Sequence, residues 1–207
     1  YSVPGSMIVD NLTVGVGNIT YDAGGDFDFG SITVPGSDIN LIAGGNVNID
    51  SSVTADNINI DASNISLGSI SGSGNIDLVA GGVDFADVDA GGSLFISAGS
   101  VSGGFAGGGD ITIVSGSFVT ANSLTSTNDI SVAAGNIDLN NLTSGNALSL
   151  SAQNISVDDV TSGGSVTADA SAGDASFGTV DAANDITLTT TGTSSLDSAI
   201  SGGNTSI

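Results

Sequence analysis

The only side chains in this chain with a full charge at neutral pH are carboxylates. The 22 acidic residues are all Asp, and the 207 residues include no Lys, Arg, His or Cys. Two groupings have the spacing of a chemical site: Asp84, Asp87 and Asp89 within one short stretch, and the adjacent Asp158 and Asp159. Paired carboxylates serve glycoside hydrolysis as acid and base or nucleophile. Together with Asn and backbone carbonyls they also ligate Ca²⁺ as hard oxygen donors. Enzymes acting on polyuronates add cationic side chains to hold the anionic sugar, and this chain has none. Hydrolysis of a neutral glycan needs a carboxylate pair set apart from the rest, whereas Asp recurs along the whole sequence. The residues therefore predict no enzyme, no catalytic site and no required cofactor. Asp84, Asp87 and Asp89 are the candidate metal ligands, with Ca²⁺ the candidate cation. The Gly-rich Ca²⁺ nonapeptide is missing, because "GGDFDFGS" (24–31) and "GGNVNIDS" (44–51) both lack its third Gly.

A formal net charge of −22 excludes two partner classes. Nucleic-acid binding depends on Lys and Arg displacing counterions from phosphates, and an anionic membrane surface repels this chain for the same reason. Absence of Cys removes any disulfide framework. Hydrophobic residues still make up 39% of the chain and mean hydropathy is positive, unlike a disordered acidic tail. Six N-x-S/T sequons, at Asn11, Asn18, Asn64, Asn141, Asn154 and Asn204, are glycosylation candidates in a secretory setting.

The elements that must carry these residues are set by a repeat. Apolar anchors fall at Ile19, Ile39, Ile58, Ile76, Leu94, Ile111, Ile130, Leu148, Val166 and Ile186, with a mean spacing near 18.6 residues. Each period divides again: Ile58, Ile65, Ile70 and Ile76 are separated by steps of 7, 5 and 6, as are Ile130, Ile137, Leu142 and Leu148. Phrases such as "INI", "ISL" and "VDF" alternate apolar with polar, the period of a strand with one buried face. Gly, Asn, Asp and Ser lie between them, and these residues accept turn geometry. Three short strands and three corners per 18–19 residues predict an all-β parallel β-helix spanning residues 1–207 as a single repeat domain, each coil sharing its core with the next. Equal steps of 6, 6 and 6 would mark a left-handed hexapeptide helix instead.

Aligned periods give outward columns of short polar side chains. The first strand contributes Thr20, Asn40, Asn59, Asp77, Phe95, Thr112 and Ser131; the second, Asp28, Asn48, Ser66, Asp84, Ser102, Val119 and Asp138; the third, Thr54, Ser71, Asp89, Ala106, Thr125 and Thr143. Asp alternates with neutral residues in these columns, which keeps like charges apart. The coil from Leu94 to Ile111 breaks the pattern with "GGFAGGGD" (103–110) and predicts a bend or exposed feature, where Phe95, Phe105 and Phe118 form a candidate partner-contact patch.

The stretch "GNVNIDSSVTADNINIDASNISLGSISGSGNIDLVAG" (45–81) resembles the haemagglutinin-type repeats of filamentous-haemagglutinin-like secreted adhesins, and the likeness extends over most of residues 8–190. The resemblance implies a right-handed parallel β-helix that forms a long shaft on a bacterial surface. No secretion-domain motif such as NPNGI occurs, and total loss of Lys, Arg and His departs from the usual members. The expected function is thus a non-enzymatic extracellular fibre or adhesin shaft, at the cell surface or secreted. Its expected partners are itself, by continuation of the chain or coil-end stacking, and a host or surface ligand. The alternatives are a binding module working through the coil near Phe95–Phe118 and a head-to-tail polymerising filament subunit. "DNLT" (10–13) and "SGGNTSI" (201–207) at the two ends predict a segment of a longer chain or a filament subunit.

Overall fold

The computed structural model describes all 207 residues as a parallel β-solenoid of about eleven coils, with about 18 residues per turn and no helix. At a rung spacing of ~4.8 Å the stack is a rod on the order of 50 Å long. Each anchor Ile, Leu or Val is in register with its counterpart one coil away: Ile19 with Ile39, Ile39 with Ile58, Ile58 with Ile76 and Ile76 with Leu94. The same ladder continues through Ile111, Ile130, Leu148, Val166 and Ile186.

Strand alternation sends one side chain of each pair inward, and the inward set merges into a single core of 54 buried hydrophobic residues. Each coil typically supplies two or three inward residues from its first strand, two from its second and one or two from its third. Ile58, Ile60, Ile65, Leu67 and Ile70 are one such set, all buried. No coil could form this core alone, since each apolar residue packs on the equivalents above and below. Backbone bonding follows the same rule. There are 160 backbone–backbone hydrogen bonds, 117 within strands, and the other 43 all join residues one coil apart through the corners. The amides at the corners, like those in the strands, find partners along the rod axis.

The three corners differ. Between the second and third strands the turn is a single unpaired residue, as at Asn140, which falls between Leu139 and Asn141 in the ladder to Val157 and Asp159. The two strands therefore run as one bent element, for example Asn136–Ser144 and Asn154–Ser162. One coil holds an extra residue here: the register shifts between Ile49 and Ser52, placing Asp50 and Ser51 in a bulge. The corner after the third strand is closed by buried hydroxyls in the C-terminal half. The Ser144 hydroxyl lies 2.7 Å from the Asn128 carbonyl and 2.9 Å from that of Ala147, its single O–H shared between them, and Ser126 and Ser162 occupy the equivalent sites. At Pro35–Gly36 the turn needs a positive φ (71°), which Gly tolerates and Pro precedes favourably.

Three sequence expectations change. The coil from Leu94 to Gly108 is no bend: it is one continuous 15-residue strand, paired with Ile76–Ala90 along nearly its whole length. Its Gly residues answer to packing instead. A Cβ on Gly103 would fall inside the ring of Phe85, the residue one rung below, so Gly103 vacates the space that the larger inward side chain fills. Val119 is buried, and Thr120 takes the outward place beside Ser102. Ala106 is likewise buried, and Gly107 stands between Asp89 and Thr125. Val119 turns inward because it stands eight residues after Ile111, one more than Val101 after Leu94, whereas Ala106 stands twelve residues after Leu94, as the inward Val88 does after Ile76.

Candidate functional site

With the inward faces committed to the core, any function lies on the outward ladders. At the corner preceding the first strand, the side chain of most residues accepts the backbone N–H of its counterpart in the next coil. Asn18 Oδ1 accepts from Asp38 at 3.0 Å, Asp38 Oδ1 from Asn57 at 3.2 Å, Asn57 Oδ1 from Asn75 at 2.8 Å and Asn75 Oδ1 from Ser93 at 2.8 Å. Asp129 and Asp185 continue the ladder to Ala147 and Asn204. Asn and Asp recur before each "I-x-I" phrase because a short side chain with an oxygen at this position caps the next rung.

A second ladder runs through Ser6, Asp26, Asn46 and Asn64 at the corner preceding the second strand. It lapses at Gly82, Ser100 and Phe118 and resumes at Asn136, Asn154 and Asp174. The lapse leaves a shallow groove of about 380 Å³ lined by Asn46, Asn48, Asn64, Ser66, Asp84 and Ser102 among others. A larger groove of about 550 Å³ lies on the first sheet beside Phe95.

The candidate metal ligands are not brought together. Asp84 lies outward on the second sheet, while Asp87 and Asp89 are outward on the third, beyond the corner at Ala86. All three are exposed, and no group of three or more acidic side chains in the structure is placed to hold an ion. Asp158 occupies the one-residue corner, and Asp159 starts the third strand between Asn141 and Thr179. Both are exposed with no enclosing cleft.

The three candidate contact aromatics are exposed but occupy three different ladders. Phe95 stands between Asp77 and Thr112 on the first sheet, Phe105 between Asp87 and Ser123 on the third, and Phe118 beside Asn136 at the second corner. None is in ring contact with another; the aromatic cluster of the molecule is Tyr1, Tyr21, Phe27 and Phe29 near the first coils.

Most of the sequon amides are engaged within the ladders. Asn18 donates to Asp38 Oδ2, Asn64 to Asn46 Oδ1, Asn141 to the Asn122 carbonyl and Asn154 to Asn136 Oδ1, while Asn11 Oδ1 accepts from Ser31. Asn204 stands at the last corner, its N–H held by Asp185.

Asp77 carries the one unusual carboxyl group, and sequence spacing gave no sign of it. Its Oδ1 is buried without a hydrogen-bond partner. Below it, Asn59 spends its amide donor on Asn40 Oδ1 at 2.7 Å and so turns an acceptor towards Asp77. Phe95 covers the other side. Burial, and then the nearby Asp61 carboxylate, push the Asp77 carboxyl above the usual aspartate range.

The architecture is that of a parallel β-solenoid, a structural class rather than an activity. No protein-family model, no curated protein and no solved structure matches the chain.

Proposed function

We propose that this chain is a non-enzymatic structural element, the rigid shaft of an extracellular fibre or surface adhesin. One observation carries the reading: the polar side chains at the corners are largely spent on bonding one coil to the next. The Asn–Asp corner ladders and the buried Ser hydroxyls hold the rod straight, and the carboxylate pairs stand at ordinary solvated positions. A surface built this way separates things and bears load. Its charge favours isolated rods, and divalent cations such as Ca²⁺ act on it as counterions that lower the repulsion. Coil-on-coil stacking is the self-association it favours, because a parallel ladder extends by adding another rung of the same kind.

The test is electron microscopy of the 207-residue chain with and without millimolar Ca²⁺. Straight rods on the order of 50 Å long, singly or joined end to end, are expected. Flexible or collapsed particles would end the shaft reading, and so would glycan cleavage that disappears in Asp84→Asn or Asp159→Asn.

A further inference from the structure

The first sheet is polar along most of its length; apart from the isolated Ile42, its exposed apolar side chains gather at one place. Val79, Phe95 and Val114 are 37%, 38% and 45% exposed. The register makes Val79 and Val114 diagonal neighbours of Phe95, on the strands below and above it. Diagonal neighbours in a sheet lie within reach of an aromatic ring. On the other side of Phe95 opens the groove of about 550 Å³, whose lining includes Ser93, Asp110, Thr112, Asp129 and Ser131.

The same place holds an exception to the charge pattern. Elsewhere an aspartate's ladder neighbours are Asn, Ser, Thr, Gly or an apolar residue, as for Asp84 between Ser66 and Ser102, or Asp138 between Thr120 and Ser156. Asp110 and Asp129 alone occupy consecutive rungs, each just before the paired Ile111 and Ile130. Like charges one rung apart repel. Asp110 Oδ1 accepts the Asp129 N–H at 3.3 Å and Asp129 Oδ1 accepts the Ala147 N–H at 3.0 Å, so each keeps its second oxygen free of hydrogen bonds within the chain. No Lys, Arg or His exists in the chain to neutralise the pair.

We infer that this patch of the first sheet docks a basic segment of a partner protein, with a Lys or Arg side chain lying on the Phe95 ring and reaching the Asp110–Asp129 pair. Charge complementarity selects the occupant: a polyanionic or neutral partner would leave the stacked carboxylates unrelieved. The exposed ring and its two valines select an organic cation over a bare metal ion. An aromatic face attracts a cation within ~6 Å, and the guanidinium plane also stacks on it. The inference goes beyond the shaft reading and does not rest on it.

The experiment is a titration of the ¹⁵N-labelled 207-residue chain with the peptide acetyl-Leu-Arg-Gly-Arg-amide at physiological salt, following amide shifts. The shift changes are expected to concentrate on 93–97, 110–114 and 129–131 and to saturate at one peptide per chain. Phe95→Ser and the double change Asp110→Asn/Asp129→Asn each weaken binding by about tenfold, the scale of one desolvated cation–aromatic contact. Phe95→Leu, which keeps apolar area and folding but removes the ring, also weakens it. Asp158→Asn/Asp159→Asn removes the same charge from another face and leaves binding unchanged. Shifts spread evenly over the Asp-bearing corners, or equal weakening by both double variants, would reduce the effect to diffuse attraction and overturn the inference. So would stoichiometric CaCl₂ binding at Asp110 and Asp129 with peptide binding indifferent to Phe95→Ser.

Discussion

At the residue scale, Asp77 is a weak rung in an amide ladder. Asn40 and Asn59 pass a hydrogen bond up the column, and Asp77 presents a carboxylate to the acceptor of Asn59. Its carboxyl is held above the ordinary aspartate value by burial and by Asp61. The sign follows from linkage: the folded state binds the proton more tightly than the unfolded state, so this group's contribution to stability falls as pH rises from the ordinary aspartate range through the raised value. Asp77→Asn supplies the missing donor and removes the charge. It is expected to stabilise the chain at pH 7 by about 1–2 kcal/mol, an increase of several degrees in Tm. The advantage should shrink as thermal melts are repeated towards pH 4. The pairing of Phe85 with Gly103 gives a second expectation. Gly103→Val drives a side chain into the Phe85 ring and is expected to cost about 1–3 kcal/mol, as overpacking does. Combining it with Phe85→Leu should return most of that loss in a double-mutant cycle, because the two positions share one space.

At the scale of the element, the unit is a corner ladder and not a single coil. The ladder preceding the first strand has a gap at Ala147, which receives the Asp129 carboxylate but offers no side-chain acceptor to Ser165 above it. Ala147→Asn is expected to raise stability by about 1 kcal/mol by capping that N–H. Asn57→Ala, which removes a donor to Asp38 and an acceptor for Asn75, should lower it by a similar amount. Chemical denaturation of both variants checks the pair, and a ladder that carries no stability would leave both midpoints unmoved. The ladders also explain the sequons: Asn18 and Asn154 cap the N–H of the next coil through Oδ1, and the amide N–H groups of Asn18, Asn64 and Asn154 donate to side chains one coil away.

At the scale of the whole molecule, a charge of −22 without an internal cation makes self-repulsion the main electrostatic term. The Debye length falls from ~30 Å at 0.01 M salt to ~3 Å at 1 M, so added NaCl is expected to raise Tm steadily over that range. Millimolar CaCl₂ should do so at far lower ionic strength. A Tm that does not respond to either would mean that the alternation of Asp with neutral rungs has already removed the repulsion.

The sequence by itself determined the period, the parallel stacking and most of the inward set, with Val119 and Ala106 the exceptions, because apolar alternation at a fixed spacing favours one way to bury the Ile, Val and Leu together. Tertiary structure decided what depends on neighbours one coil away. Phe95, Phe105 and Phe118 look alike in the sequence, yet they fall in separate ladders because each occupies a different place in its coil. Asp84, Asp87 and Asp89 look like a cluster, yet the corner at Ala86 divides them between two sheets. Asp110 and Asp129 are 19 residues apart in the chain and become stacked neighbours beside Phe95 only when consecutive coils align. Linear spacing fixes which rung a residue belongs to, but the register between rungs sets which side chains touch.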